Sequence, residues 1–215
     1  MADALHFIFI NGKGSSGKDT QAELLISAFG DKSKRISTGE IFWGAMKGSG
    51  EFARYHERLT SYSDQVRRGG YIPDPVIVEI VREVVTGYIL EGKRIFVFTG
   101  FPRTEPQLVE TDKMLRELEG MYPVSVNYLQ FEVSDEISKG RAEGRRLAAD
   151  IKGLTPRPDD LEVTVERRLE AFRTLTAPML RRLEVEGRLI TIDASPTIGK
   201  IAKETRLRLR GVERL

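Results

Sequence analysis

A chain of 215 residues that is 40% apolar and 31% charged has the size and composition of one globular domain. Its 34 lysines and arginines against 32 acidic residues leave a net charge of +2, which by itself argues for no nucleic acid or anionic membrane partner. The absence of cysteine excludes disulfides and thiolate metal sites, and the lack of a leader-like start or an apolar run of about 18 residues makes a cytoplasmic protein the expectation.

The first predicted element is a buried strand at 6–11, HFIFIN. It runs into NGKGSSGKDTQ at 11–21, where the pattern G-x-x-x-x-G-K spans Gly12 to Lys18 and then meets Asp19 instead of a hydroxyl residue. Gly12, Gly14 and Gly17 let such a loop curl its N–H groups around one anion, a following helix adds its positive end, and Lys18 adds a mobile cation. That helix is predicted at 17–28, with Ala22, Leu24, Leu25 and Ala28 on one face. SKRIS at 33–37 reads as a fifth strand, short and charged. Residues 39–72 are helical but polar and end in the turn RRGGYIPDP, and Ser37 with Glu40 matches a capping box at their start.

A helix at 76–90 precedes a buried strand at 94–100, RIFVFTG, and Gly100, Phe101 and Pro102 then bend the chain. A third long strand is VNYLQFEV at 126–133. Arg141 and Arg145, four apart, share a helix face; their repulsion of about 0.2–0.5 kcal/mol would be reversed by a bound polyanion. Residues 147–159, with one glycine and two prolines, read as an irregular insertion. One helix is predicted from about 160 to 186, its core stripe running through Val165, Leu169, Phe172, Leu175, Met179 and Leu183. RLITID at 188–193 is the last strand, and Ser195 and Pro196 read as cap and first residue of a final helix that continues into RLRLRGVERL. Strands alternating with helices imply an α/β fold, a mostly parallel sheet covered on both faces, with ligands at its C-terminal strand ends.

The segments GKDTQ, ISTGE (36–40), GFPRTEPQ (100–107), RAEGRR (141–146), RPDD (157–160) and RRL (167–169) stand in the order found in nucleoside monophosphate kinases. From His6 to about Arg206 the chain resembles that family, and most closely its adenylate kinases of the short-lid form. The resemblance implies a P-loop NTPase-type parallel sheet sandwiched by helices in a single domain. Its parts would be a core (1–37, 73–146 and 160–215), a monophosphate-binding helical flap (about 38–72) and a lid (about 147–159). It implies ATP-dependent phosphoryl transfer with Mg²⁺ to a nucleoside monophosphate, AMP first, giving two ADP. A different or deoxy nucleoside monophosphate as acceptor, or a weakly active nucleotide-binding regulatory homologue, are the alternatives. Small nucleotides are the implied partners, without nucleic acid or membrane, and a monomer is expected.

The same resemblance carries residue roles. Gly12, Gly14, Ser15, Ser16, Gly17, Lys18, Asp19 and Thr20 would cradle ATP, with Arg141 near its base, and Lys18 would follow the moving phosphoryl group. Arg103 would hold the acceptor's α-phosphate and Gln107 its base, in a pocket lined by Thr38, Gly39, Trp43, Gly100 and the Ile72 backbone. Arg145, Arg157 and Arg168 would converge on the phosphates. Phosphoryl transfer asks a protein chiefly for positioned cations, and arginine's planar fork suits phosphate. A cis Phe101–Pro102 bond is implied as well. Asp159 and Asp160 read either as helix N-terminal carboxylates or, as in the family, as an acidic pair tied to the lid's arginines.

Four positions depart from the family. Asp19 stands where members usually have glycine and Thr99 where they have aspartate, so Asp19 either takes over as the acidic ligand toward Mg²⁺ or pairs with Lys18. Trp43 replaces an arginine that grips the acceptor phosphate; either Lys47, Arg54 or Arg58 reaches that place, or Trp43 stacks on a different acceptor. Tyr71 replaces a smaller aliphatic in the turn before Pro73.

Overall fold

The structure is a computed structural model that describes residues 3–155, 160–209 and 211–212. Its five strands are β1 (Leu5–Gly12), β2 (Ser33–Ser37), β3 (Ile95–Thr99), β4 (Val124–Glu132) and β5 (Leu189–Asp193). They form one parallel sheet in the order β2-β3-β1-β4-β5. All five expected strands, including the one at 33–37, are present.

Alternation along β1 sorts its side chains to two cores. Leu5, Phe7 and Phe9 face one side, where Phe9 stacks 4.6 Å from Phe98 and 4.8 Å from Tyr128; Ile8 and Ile10 face the other. The aromatic side is covered by α5 (Asp74–Leu90), α6 (Glu105–Glu119) and α9 (Ala177–Val185). The aliphatic side is covered by α1 (Lys18–Phe29) and α10 (Ile198–Arg208). The chain leaves β1 toward β2 on one side and leaves β3 toward β4 on the other. The loops after β1 and β3 therefore diverge at a topological switch point, where α/β sheets open a crevice at their C-terminal ends.

Segment 39–72 is helical, as expected: α2 (Thr38–Met46), α3 (His56–Thr60) and α4 (Ser63–Arg67). Ile41, Phe42 and Ala45, with Tyr55 and Leu59, are buried and join the aromatic core. Only half of the capping box forms. The Ser37 hydroxyl accepts the Glu40 N–H at 3.4 Å, while the Glu40 carboxylate turns to Arg35.

Three expectations need correction. Residues 147–151, read as the start of an irregular insertion, instead complete the helix that begins at Asp135. The path from 160 to 186 is α8 (Glu162–Ala171), a π-helical turn at Phe172–Thr176, then α9. Pro178 in the second position of α9 has no N–H and crowds the turn before it, which the wider turn relieves. The extra residue shifts the apolar stripe, so Leu175 is 44% exposed and Thr176 is buried in its place. The last helix is capped at Thr197, because the Ser195 N–H is taken by the Asp193 carboxylate at 2.8 Å in a turn that holds Pro196; it ends at Arg208. The Phe101–Pro102 bond is cis. Among the described residues, no helix is long and apolar enough to cross a membrane.

Candidate active site

The loop from Gly12 to Gly17 leaves β1 at the switch point and enters α1. Gly12, at φ 151°, leaves no room for a side chain, since a Cβ would stand 2.5 Å from the Phe131 carbonyl oxygen; Gly17, at φ 87°, caps α1. Gly14 is not needed for a left-handed turn: its backbone does not adopt one, and that conformation falls on Ser15 at φ 57°. The Ser138 hydroxyl from α7 (Asp135–Ile151) donates to the Gly14 carbonyl at 2.8 Å. Lys13 fastens the loop to the end of β4, donating to the Val133 carbonyl at 2.8 Å and pairing with Asp135 at 2.6 Å.

Over this loop lies a cavity of about 570 Å³ into which five cations project from five elements or their flanks: Lys18, Arg35, Arg103, Arg145 and Arg168. Gly14, Ser15, Gly17, Asp19 and Thr20 line its floor. Thr38, Gly39, Trp43, Ile72, Gly100 and Gln107 line the opposite side. Ser16 is fully buried behind the floor and Gly12 borders a smaller adjoining pocket. Arg141 lies off the cavity and clasps the loop from outside, donating to the Ser15 carbonyl at 3.4 Å and the Ala194 carbonyl at 3.0 Å. Arg157 and Asp159 lie outside the described residues.

Each cation is held by its own contacts. Arg145 donates to the Ser15 hydroxyl at 2.8 Å and forks onto the buried Asp160 carboxylate at 2.6 and 3.2 Å. Of the two readings of Asp160, the tie to an arginine is the one the geometry bears out. Arg103 donates from Nε to the Gly100 carbonyl and from Nη2 to the Thr38 hydroxyl at 3.4 Å. Gln107 is 2% exposed and its amide is engaged at both ends: the oxygen accepts the Arg103 N–H at 2.7 Å and the nitrogen donates to Asp74 at 2.7 Å.

Lys18 reports how closely these charges converge. Burial, with Arg168, Arg103 and Arg145 nearby, lowers its amine from the ordinary 10.5 to about 8, against an opposing pull from Asp19. A bound polyphosphate reverses the balance by favouring the charged form. Binding therefore takes up a proton, and affinity falls as pH rises through 8. Calorimetric titration of ATP at pH 8.5, in buffers of different ionisation enthalpy, should show uptake of more than about half a proton. Lys18→Met should abolish that uptake.

Asp19 pairs with Arg35 at 3.6 Å, and no ion pair to Lys18 is formed. Burial alone would raise its carboxyl; Lys18, the Thr99 hydroxyl, Arg35 and Arg103 outweigh this and hold it below the usual carboxylate range. The Thr99 oxygen lies beside this carboxylate without closing a hydrogen bond within 3.5 Å, and the Ser16 hydroxyl also lacks a partner, although both are buried. Among the described residues, no three His, Cys, Asp or Glu side chains gather to grip a metal. Mg²⁺ does not require such a cage, since one or two carboxylates, phosphate oxygens and water suffice. An ionised Asp19 beside the unpartnered Thr99 hydroxyl fits that demand.

Trp43 stands edge-on to Phe42 with ring centroids 4.9 Å apart, and the Arg67 guanidinium lies 5.9 Å from its ring. None of the three cations considered as its substitutes lines the cavity. Arg58 is drawn away by Glu79 at 2.8 Å and Glu83 at 2.7 Å, Arg54 lies over the Tyr55 ring, and Lys47 is exposed. Arg35 does line it. Sequence reasoning missed this residue; the signal was a long cation in a short strand at the sheet's C-terminal edge, immediately before ISTGE.

Comparison with known proteins agrees with this geometry. The family model described as adenylate kinase matches residues 10–187. An adenylate kinase of Parabacteroides distasonis is 31% identical over 194 residues, covering 90% of this chain and 92% of its own. One from Caldicellulosiruptor saccharolyticus is 32% identical, with 96% and 99% covered. The protein named adenylate kinase 2 of a Nostoc species is 32% identical, with 90% and 94% covered.

Proposed function

Because this chain belongs to the adenylate kinase family, and because its cations face one cleft, we propose that it transfers the γ-phosphoryl group of ATP to AMP, giving two ADP. The observation that carries this is the convergence of Lys18, Arg103, Arg145 and Arg168 on one cavity beside a loop that opens a helix N-terminus. In the proposed division, residues 38–72 form an acceptor-side flap, 147–159 a lid, and the remainder the core.

ATP would lie on the loop from Gly12 to Thr20, its base toward Arg141. The acceptor's α-phosphate would meet Arg103, its base facing Gln107, Trp43 and the Ile72 backbone. An oxygen of that phosphate attacks the γ-phosphorus as the bond to the β–γ bridging oxygen breaks, and the electron pair leaves with ADP. The transition state spreads negative charge over three equatorial oxygens. Lys18 moves with the group, while Arg145 and Arg168, with Arg157 from the lid, hold those oxygens; the charges are in place beforehand, so little reorganisation is needed.

Mg²⁺, when bound, would neutralise charge between the β- and γ-phosphates. Asp19 would be its protein ligand, directly or through water, with the Thr99 hydroxyl beside that carboxylate to order the water. Asp19→Asn is then expected to raise the Mg²⁺ concentration needed for half-maximal turnover by about tenfold or more, with ATP binding in the absence of metal changed by less than about threefold. Titrating Mg²⁺ in a coupled assay, beside metal-free calorimetry, checks both halves.

A monomer with small nucleotides as its partners, in a cytoplasmic setting where these substrates abound, is part of the same proposal. The direct test is a coupled assay of AMP, GMP, CMP, UMP and dTMP with ATP and Mg²⁺. ADP formation fastest with AMP is expected; preference for another monophosphate would move the acceptor, and ATP binding without turnover of any would contradict the enzyme reading.

A further inference from the structure

The turn Gly69–Gly70–Tyr71 crosses the cleft mouth and touches the helix that carries Arg168. Gly69 is at φ 87°, and a Cβ there would stand 3.1 Å from the Arg168 Cγ and 3.4 Å from the Thr164 carbonyl oxygen. Two residues on, the Tyr71 hydroxyl meets the Thr176 hydroxyl at 3.3 Å, in the π-helical turn that follows α8. The Tyr71 carbonyl accepts from Gln65, which fixes the backbone at the same place. The ring is thus pinned at its two ends, and the Arg103 guanidinium lies over its face, 4.8 Å from the centroid. Tyr71 also borders both the main cavity and the small pocket that adjoins Lys18, Arg103 and Arg168.

From this arrangement we propose that Tyr71 is a positioning residue for the acceptor phosphate, holding the Arg103 guanidinium in the plane from which it binds. The inference rests on the reading of the cleft as that of a nucleoside monophosphate kinase. The physical case has three parts. Stacking uses the face of a guanidinium and leaves its edge, where every N–H donor lies, directed at anions. Two further anchors at that edge, the Gly100 carbonyl and the Thr38 hydroxyl, set its rotation about the stack. Trp43 brings no charge to the acceptor side and Arg35 is engaged by Glu40 and Asp19, so the orientation of Arg103 has more to do there than it would with an arginine in place of Trp43. An aliphatic residue at 71 would fill space without attracting the cation.

The test is the dissociation constant of AMP and the KM for AMP and for ATP in Tyr71→Leu, with Tyr71→Phe as the conservative variant. Tyr71→Leu should weaken AMP binding about tenfold, the size of a desolvated cation–π contact, with the ATP KM within about twofold and kcat reduced less than the acceptor term. Tyr71→Phe keeps the ring and should restore AMP affinity to within about threefold. In an Arg103→Ala background, Tyr71→Leu should have no further effect on AMP, because the group it positions is gone. Tyr71→Met serves in the same way if the leucine variant melts early. Unchanged AMP affinity in Tyr71→Leu, equal losses for AMP and ATP, or the same tenfold loss with and without Arg103 would each overturn this inference while leaving the kinase reading intact. A wild-type protein that neither binds nor phosphorylates any monophosphate would overturn both.

Discussion

Lys18→Met is expected to lower kcat for ATP and AMP by about 10³-fold, or about 4 kcal/mol of transition-state stabilisation, while ATP binding weakens far less. The difference follows from where charge develops. In the proposed ground state, the polyphosphate would be shared among the loop backbone, the α1 N-terminus, Arg145 and Arg168, so the loss of one cation would be partly covered. In the transition state, the transferred group is detached from its donor and needs a cation that travels with it. Lys18 has the flexible stem for this, whereas Arg145 is forked onto Asp160 and Arg103 is anchored to Gly100 and Thr38. Methionine matches the length and apolar stem without the ammonium. Removing the lysine also relieves repulsion among the remaining arginines, the same repulsion that helps bring its amine to about 8. The folded protein should therefore be no less stable near neutral pH, and thermal melting separates this from loss of structure. A kcat reduced by less than about tenfold would contradict the assignment.

Arg103→Ala is expected to lower kcat/KM for the acceptor by about 10²–10³-fold, with the ATP KM nearly unchanged, since truncating one partner of a desolvated charge-assisted contact costs about 2–5 kcal/mol. The asymmetry between substrates is the informative part. Arg103 follows β3 through the cis-proline bend and faces the side of the cavity lined by Thr38, Trp43 and Gln107, away from the outer clasp that Arg141 makes on the loop. Because Trp43 supplies no charge there and Arg35 is paired with Glu40 and Asp19, this single substitution should remove most of the acceptor's electrostatic recognition. Arg103→Lys should recover only part of it, since an ammonium cannot bind two phosphate oxygens in one plane or stack on Tyr71 in the same way. Parallel losses for ATP and AMP would show instead that Arg103 acts on the fold of the cleft.

The sheet was legible because HFIFIN, RIFVFTG and VNYLQFEV carry more Ile, Val and Phe than a solvated surface tolerates, and all become buried strands. SKRIS was harder because Lys34 and Arg35 carry charge in an edge strand, where one side is open to the cleft; the same charge concealed a site residue. The arginines at 103, 145 and 168 could be read from motif register, and one cavity does gather them. What could not be read was tertiary. The engagement of Gln107 with Asp74 depends on a contact across 33 residues, and the pairing of Asp19 with Arg35 depends on β2 lying against the start of α1. The π-helical turn had a local signal, Pro178 inside an apolar stripe, but the period-3.6 reading passes over one inserted residue and so misplaced Leu175.

In the proposed reaction, one cluster of cations receives two nucleotides with their phosphates meeting end to end. This arrangement is tested most directly by titrating the protein with a single molecule in which two adenosines are joined by five phosphates. One site per chain is expected, binding at least about 10²-fold tighter than ATP alone because the second half associates intramolecularly, with most of that gain lost in Arg103→Ala. Affinity no greater than that of ATP, or a gain indifferent to Arg103, would contradict it.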